Sequence, residues 1–117
     1  MKPLRILVVE DEMTIALLIE DMLANLGHNV VGLALRFTQA ITLAKDAQID
    51  FAILDVNLNG QNSFPVAELL EARGIPFLFA TGYGSAGVEA GYRGRGMVIK
   101  KPFDLKDLRQ AIERVSA

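Results

Sequence analysis

Five polar side chains stand directly after short apolar runs in this chain of 117 residues. Three of them are carboxylates, one is a hydroxyl and one is an amine: Glu10, Asp11, Asp55, Thr81 and Lys101. If they meet in space, the carboxylates repel one another and cannot all stay ionised without a counter-charge. A lysine and a hard cation such as Mg²⁺, which prefers oxygen ligands, would supply that charge. A carboxylate nucleophile, with a hydroxyl and an ammonium opposite, suits phosphoryl transfer.

Asp55 is the position on which the rest of the chemistry depends. It closes the run FAILD, which is typical of a fully buried parallel strand, and Asn57, Asn59 and Gly60 then mark a loop. Taken alone, a carboxylate at such a strand end is a metal ligand, a nucleophile or a helix cap, and these three alternatives stay open at this point.

The elements that position these side chains alternate along the chain. Strands are predicted at Ile6–Val9, Asn29–Leu33, Phe51–Leu54, Pro76–Ala80 and Met97–Ile99. Helical patterns separate most of them, and strands that alternate with helices predict an α/β fold with a parallel sheet covered on both faces. The carboxyl ends of such strands lie along one edge, where open α/β sheets bind ligands.

The helical patterns carry predicted ends as well as buried faces. The first helix has apolar residues at Ile15, Leu18, Ile19, Met22, Leu23 and Leu26, and Gly27 is placed to end it. The second begins near Arg36 or Thr38, and the third has Pro65 in its first turn and Gly74 at its end. Asp104 is expected to cap the last helix, whose buried face is predicted as Leu105, Leu108, Ile112 and Val115.

Composition bounds the class of protein. The length predicts one domain over residues 1–117, with enough apolar residues, 51%, for a core. The chain has no cysteine, one histidine and a net charge of −2, which argue against disulfides, a histidine-based zinc site and a nucleic-acid or membrane partner. No apolar run reaches the ~18 residues of a membrane span, so a cytoplasmic location is expected.

The five positions, taken as a set, resemble those of the response regulator receiver family, the CheY-like domains of two-component signal transduction. The motif consists of Glu10-Asp11 after the first strand, Asp55 after the third, Thr81 after the fourth and Lys101-Pro102-Phe103 after the fifth. The segment Phe79-Ala80-Thr81-Gly82 is similar to a single-domain, FATG-type subgroup found mostly in alphaproteobacteria and often served by histidine kinases of the HWE and related classes.

The resemblance implies a fold and a set of roles. The fold is a five-stranded, doubly wound, flavodoxin-like sheet with strand order 2-1-3-4-5. Asp55 would accept a phosphoryl group from a histidine kinase. Asp11, Asp55 and the carbonyl of Asn57 would hold Mg²⁺, with Glu10 acting through water. Thr81 and Lys101 would bind the phosphoryl oxygens, and the Lys101–Pro102 bond, next to Phe103, would be cis.

The resemblance also implies a stand-alone switch in a phosphorelay. The phosphoprotein would catalyse only its own phosphorylation and dephosphorylation, and a downstream protein or phosphotransfer partner would read its state. Many receivers carry an aromatic switch residue where this chain has Val98. The glycine-rich segment Gly82–Gly96 offers only a weak helical pattern over Ser85–Arg93, so a fourth helix there is expected to be short or mobile.

Two other functions compete with the switch. A flavin carrier or small-molecule enzyme on the same sheet would need a phosphate-binding loop after the first strand, where this chain has Glu10-Asp11-Glu12. The GxGxxG pattern at Gly82–Gly87 follows the fourth strand, whereas a dinucleotide fingerprint follows the first. A receiver-shaped adaptor that takes no phosphate would lack the acids or the lysine. Glu12 is expected to be a solvated acid, and His28 a boundary residue after the first helix.

Overall fold

Residues 2–82 and 97–116 are described in the structure, a computed structural model. The strands of the main sheet are β1 (Arg5–Val9), β2 (Asn29–Ala34), β3 (Phe51–Asp55), β6 (Phe77–Thr81) and β7 (Met97–Lys100). A short hairpin adds β4 (Asn57–Leu58) and β5 (Gln61–Asn62). The helices in these ranges are α1 (Met13–Asn25), α2 (Phe37–Asp46), α3 (Phe64–Ala72) and, at the carboxyl end, α4 (Leu105–Ser116).

The main sheet confirms the predicted topology. Its five strands run parallel in the order β2-β1-β3-β6-β7. Because β6 and β7 are the fourth and fifth strands of this sheet in chain order, the arrangement is the predicted 2-1-3-4-5. The switch in strand order lies between β1 and β3, so their carboxyl ends open into a crevice.

Helices cover both faces of the sheet, as predicted. Alternate residues of each strand point to opposite faces, so Leu7 and Val9 pack with α2 and α3, while Ile6 and Val8 pack with α1 and α4. Central strand β3 is apolar on both faces and its first four residues are buried, as expected for a strand between two helical layers. This core fixes the position of every strand end.

The helix ends follow the predicted signals. Gly27 and Gly74 follow α1 and α3 with φ of 87° and 72°, a backbone that glycine adopts without strain. Arg36 precedes α2, which settles the alternative with Thr38. At the start of α4, the Asp107 N–H donates to Asp104 Oδ1 at 2.8 Å, and the Asp104 N–H donates to Asp107 Oδ2 at 3.1 Å. The predicted cap is therefore reciprocal.

Two helix-face predictions were wrong. The helical period predicts Leu18 on the buried face of α1, but its side chain is 55% exposed; it also predicts Leu105 on the buried face of α4, but that side chain is 40% exposed. Both positions satisfy the helical period, but they lie at the margin of the apolar stripe. A residue at the margin is buried only if another helix or loop covers it. The helical period does not show whether such an element is present.

The loop predicted after β3 forms an ordered hairpin instead. Its strands β4 and β5 are antiparallel and joined by the two residues Asn59 and Gly60, with φ of 51° and 87°. Two positive φ angles give the type I′ turn that Asn-Gly favours. The predicted short or mobile helix within Gly82–Gly96 falls on residues 83–96, outside the described ranges. Among the described residues, no helix is long and apolar enough to cross a membrane.

Candidate functional site

The carboxyl ends of four neighbouring strands bring the predicted site residues together. Glu10 and Asp11 follow β1, and Asp55 is the last residue of β3. Thr81 ends β6, and Lys101 follows β7 with its backbone N–H donating to the Thr81 carbonyl at 2.8 Å. The acids therefore lie at the carboxyl ends of the neighbouring strands β1 and β3. Thr81 and Lys101 lie at the carboxyl ends of the next two strands of the sheet, β6 and β7.

A cluster of three carboxylates lies at the centre of this edge. One oxygen from each of Glu10, Asp11 and Asp55 lies within 4.8 Å of the others. Glu10 is buried, while Asp11 and Asp55 are partly exposed. The set offers only hard oxygen donors and keeps an open side, so it fits a cation such as Mg²⁺ that retains several waters.

Lys101 provides positive charge to two of the three acids. Its Nζ lies 2.5 Å from Glu10 Oε1 and 3.4 Å from Asp55 Oδ2. Burial lowers the pKa of Lys101, but the two carboxylates outweigh that effect and hold the pKa above its usual value. The lysine is therefore charged at neutral pH and is shared between the buried acid and Asp55.

The same burial acts on the acids. It raises the pKa of Glu10 to about 7, where the charge of Asp55 adds to the rise and the hydrogen bond from Lys101 opposes it. Burial also raises the pKa of Asp55, against the attraction of Lys101. Without a metal the site consequently favours holding a proton, and a divalent cation would have to displace it.

This raised pKa predicts a pH dependence of stability in metal-free protein. Because Glu10 titrates higher in the folded than in the unfolded chain, the folded state holds the extra proton, and stability falls as pH rises from about 4.5 to about 7. The slope is at most about 1.4 kcal/mol per pH unit. Thermal unfolding in a chelator should show Glu10→Gln losing less stability than the wild type across this window.

The comparison with Glu10→Gln is needed because His28 acts in the opposite direction. Burial lowers the pKa of His28, so this group makes stability rise with pH near 6.5. Both proteins contain His28, so its contribution cancels in the difference between their pH profiles. Equal pH profiles for the two would contradict the assignment.

The remaining predicted residues lie around the cluster. Thr81 is buried at the end of β6, and the Lys101–Pro102 peptide bond is cis, as the resemblance implied. The Asn57 N–H donates to Asp55 Oδ1 at 3.4 Å, so Asn57 lies against the predicted acceptor. Phe103 is partly buried on the sheet face covered by α1 and α4. Val98 pairs with Phe79 and packs on the opposite face.

Two contacts of this region were not foreseen from the sequence. The Asn59 N–H donates to Asp11 Oδ2 at 3.1 Å, so the hairpin reaches the acidic cluster. The Asn-Gly pair was the available signal for that hairpin. His28, expected at a boundary, is buried, and its Nδ1 accepts the Leu4 N–H at 3.1 Å, which gives it a structural role far from the strand ends that carry the site.

An apolar groove runs beside the site, between α1 and the segment after β7. It measures about 310 Å³ and is lined by Ile15, Leu18, Ile19, Met22, Lys101, Pro102 and Phe103. Next to it, α1 exposes further large apolar side chains, Met13 at 51% and Leu17 at 48%. Apolar side chains clustered in this way at the surface are typical of a protein interaction site.

Comparison with known proteins agrees with this geometry. Residues 6–113 match the family described as response regulator receiver domain. The solution structure of SdrG from Sphingomonas melonis Fr1 is 42% identical and covers 100% of both chains with a TM-score of 0.85. The phyllosphere-induced regulator PhyR of Methylorubrum extorquens is 34% identical over 84% of this chain and 38% of its own length.

A third relative bears on the metal. The receiver domain of a sensor histidine kinase from Pseudomonas aeruginosa PAO1 is 25% identical, with a TM-score of 0.85 over 98% of both chains, and its structure has a magnesium ion coordinated in the active site cleft. The chain spans only 38% to 56% of the first curated relatives that it matches.

Proposed function

This chain belongs to the response regulator receiver family, and we propose that it is a phosphoryl-accepting switch in which Asp55 takes a phosphoryl group from a histidine kinase. One observation carries the proposal: three carboxylates within 4.8 Å of one another share a strand edge with Lys101, which contacts two of them. Such a site is costly for stability alone, since it gathers like charges and buries one of them.

Each side chain has a role that its position supports. An Asp55 carboxylate oxygen attacks the phosphorus of a phosphohistidine, the P–O bond forms as the P–N bond breaks, and the imidazole leaves with a proton. Bound Mg²⁺ would neutralise phosphoryl charge, with Asp11, Asp55 and the Asn57 carbonyl as its protein ligands and Glu10 acting through water. Lys101 and the Thr81 hydroxyl would bind the phosphoryl oxygens, a role supported by the contact of Lys101 with Asp55 and by the position of Thr81 at the end of the neighbouring strand.

The proposed activity is that of a switch and not of an enzyme with a separate substrate. The chain would catalyse only the gain and loss of its own phosphoryl group. The acyl phosphate would carry roughly 1.5 to 2 negative charges, in place of the single charge of the ionised Asp55 carboxylate, at the strand edge that Thr81 and Lys101 share. A downstream protein or a further phosphotransfer partner would read that change.

The apolar groove beside α1 is the face that we assign to the kinase. A histidine kinase must bring its phosphohistidine to Asp55, so its docking surface has to border the strand ends. The exposed leucines of α1 and the groove next to Lys101 border them and suit an amphipathic helix of the partner. Apart from Lys101, the groove is lined by apolar side chains, so we expect apolar contacts to dominate the docking.

Leu18→Lys separates docking from chemistry. Leu18 is 55% exposed and lines the groove, so the substitution should leave the fold intact and place a charge in the interface. We expect phosphotransfer from a purified cognate kinase to slow about 10-fold or more, as for a central interface residue. Labelling by acetyl phosphate, which needs no docking, should be unchanged.

Val31→Lys is the matched control. Val31 is 44% exposed on edge strand β2 and lies outside the groove. It should leave both the kinase and the acetyl phosphate reactions unchanged. If Leu18→Lys slows both reactions equally, or neither, the groove is not the docking face. If the wild type takes no label from either donor, the switch itself is refuted.

A further inference from the structure

The hairpin after Asp55 is held firmly at its base. Leu58, on β4, is 1% exposed and packs in the core under α2 and α3. The Ser63 N–H donates to the Val56 carbonyl at 2.8 Å, which closes the hairpin where it leaves and rejoins the fold. Within the turn, the Gly60 N–H donates to Asn57 Oδ1 at 2.8 Å. The turn therefore projects from a base that core packing and hydrogen bonds hold in place.

The tip of the hairpin contacts the acidic cluster through a backbone amide. The Asn59 N–H donates to Asp11 Oδ2 at 3.1 Å, across 48 residues of sequence. This direction depends on the positive φ of Asn59 and Gly60, since the type I′ turn decides where each amide of the tip points. The contact joins the loop after β1 to the loop after β3.

Asp11 needs such a restraint more than its neighbours do. Lys101 contacts Glu10 and Asp55, and these two carboxylates lie close enough to repel a third. Asp11 is partly exposed, so repulsion would otherwise favour rotamers that turn its carboxylate toward solvent. An amide on one oxygen opposes that rotation and leaves the second oxygen for a cation.

We propose that the Asn59–Gly60 turn is a positioning element for the metal site, which holds Asp11 in its ligating orientation before the cation arrives. The inference rests on the proposed function, because it assumes that Asp11 binds Mg²⁺. Mg²⁺ demands near-ideal geometry, so a carboxylate already in place saves the cost of ordering it. Hydrogen-bond partners of metal ligands typically change affinity 10–100-fold when they are lost.

Gly60→Val tests the turn with little steric interference. A Cβ at Gly60 would meet no described atom within 4 Å, so its effect comes from φ of 87°, which a β-branched residue strongly disfavours. We expect the dissociation constant for Mg²⁺, measured by calorimetric titration, to rise about 10-fold. Asn59→Gly keeps the amide and the turn, and its affinity should equal that of the wild type.

A second glycine gives a matched control for strain. Gly27 has the same φ of 87° and the same open space, but it follows the far end of α1. Gly27→Val should lower the metal-free melting temperature as Gly60→Val does and leave the Mg²⁺ dissociation constant unchanged. If Gly60→Val fails to fold, Gly60→Ala replaces it with Gly27→Ala as its control, since alanine also disfavours a φ of 87° but strains the turn less than a β-branched residue does.

The possible outcomes separate this inference from the proposed function. Weaker Mg²⁺ binding in the turn variant, with normal binding in Gly27→Val and Asn59→Gly, supports the positioning role. Equal Mg²⁺ affinity in the turn variant and the wild type overturns that role while leaving the metal site in place. A wild type that binds no Mg²⁺ would instead refute the metal site, and with it both proposals.

Discussion

Asp55→Asn is expected to incorporate no phosphoryl group from acetyl phosphate or from a histidine kinase. Asparagine has nearly the shape of aspartate, but its amide is not a nucleophile for phosphorus. The variant should fold, because Asn can still accept the Asn57 N–H that now reaches Asp55 Oδ1 at 3.4 Å, and Lys101 keeps its contact with Glu10. Removing one of three clustered carboxylates also relieves repulsion.

Asp46→Asn is the control for Asp55→Asn. Asp46 is an exposed aspartate at the end of α2, and its substitution makes the same change in charge. Labelling by acetyl phosphate or by the kinase, each with a radioactive phosphoryl group, should be normal in Asp46→Asn. At equal protein concentration, the label in Asp55→Asn should be below detection. Undiminished label in Asp55→Asn would place the acceptor elsewhere.

Asp11→Ala is expected to lose the stabilisation that Mg²⁺ confers. In the wild type, a ligand at 100 times its dissociation constant stabilises the folded state by about 2.7 kcal/mol. For a domain of this size that corresponds to a rise in melting temperature of roughly 10 °C. Without Asp11, one of the three carboxylates that can meet at a cation is gone, and little of this rise should remain.

Glu12→Ala distinguishes a lost ligand from a lost charge. Glu12 is the exposed neighbour of Asp11 and lies outside the carboxylate cluster. It removes the same charge, so any general electrostatic attraction for cations falls equally in both variants. Melting curves with Mg²⁺ and with chelator should show a normal shift for Glu12→Ala. An equal shift in Asp11→Ala would move the metal site away from Asp11.

The strand ends were predictable because they depend on patterns within the sequence. Apolar runs such as Ile6–Val9 and Phe51–Leu54 predict buried strands from their composition alone. In a parallel sheet, the residues that follow these strands lie along one edge. The positions of Glu10, Asp11, Asp55, Thr81 and Lys101 at that edge follow from topology. No detailed packing was needed to foresee them.

The features that were missed depend on contacts between distant parts of the chain. Strands β4 and β5 have two residues each, too few to show the period of a strand, so the sequence predicts only a loop at Asn57, Asn59 and Gly60. The hydrogen bond from Asn59 to Asp11 follows from that hairpin. Leu18 satisfies the helical period and is exposed, because the segment after β7 forms a groove beside it instead of covering it.

The measurement that tests the account most directly is the location of the phosphoryl group on the protein. Trypsin should release residues 46–73 as one peptide, which contains Asp46, Asp50 and Asp55, so fragment ions that divide this peptide within Phe51–Leu54 are required. We predict a single, alkali-labile phosphoryl group, carried on the Asp55 side of that division and formed only when Mg²⁺ is present. A phosphoryl group on Asp50, on a hydroxyl side chain or outside this peptide, or one formed equally well in a chelator, would contradict the account.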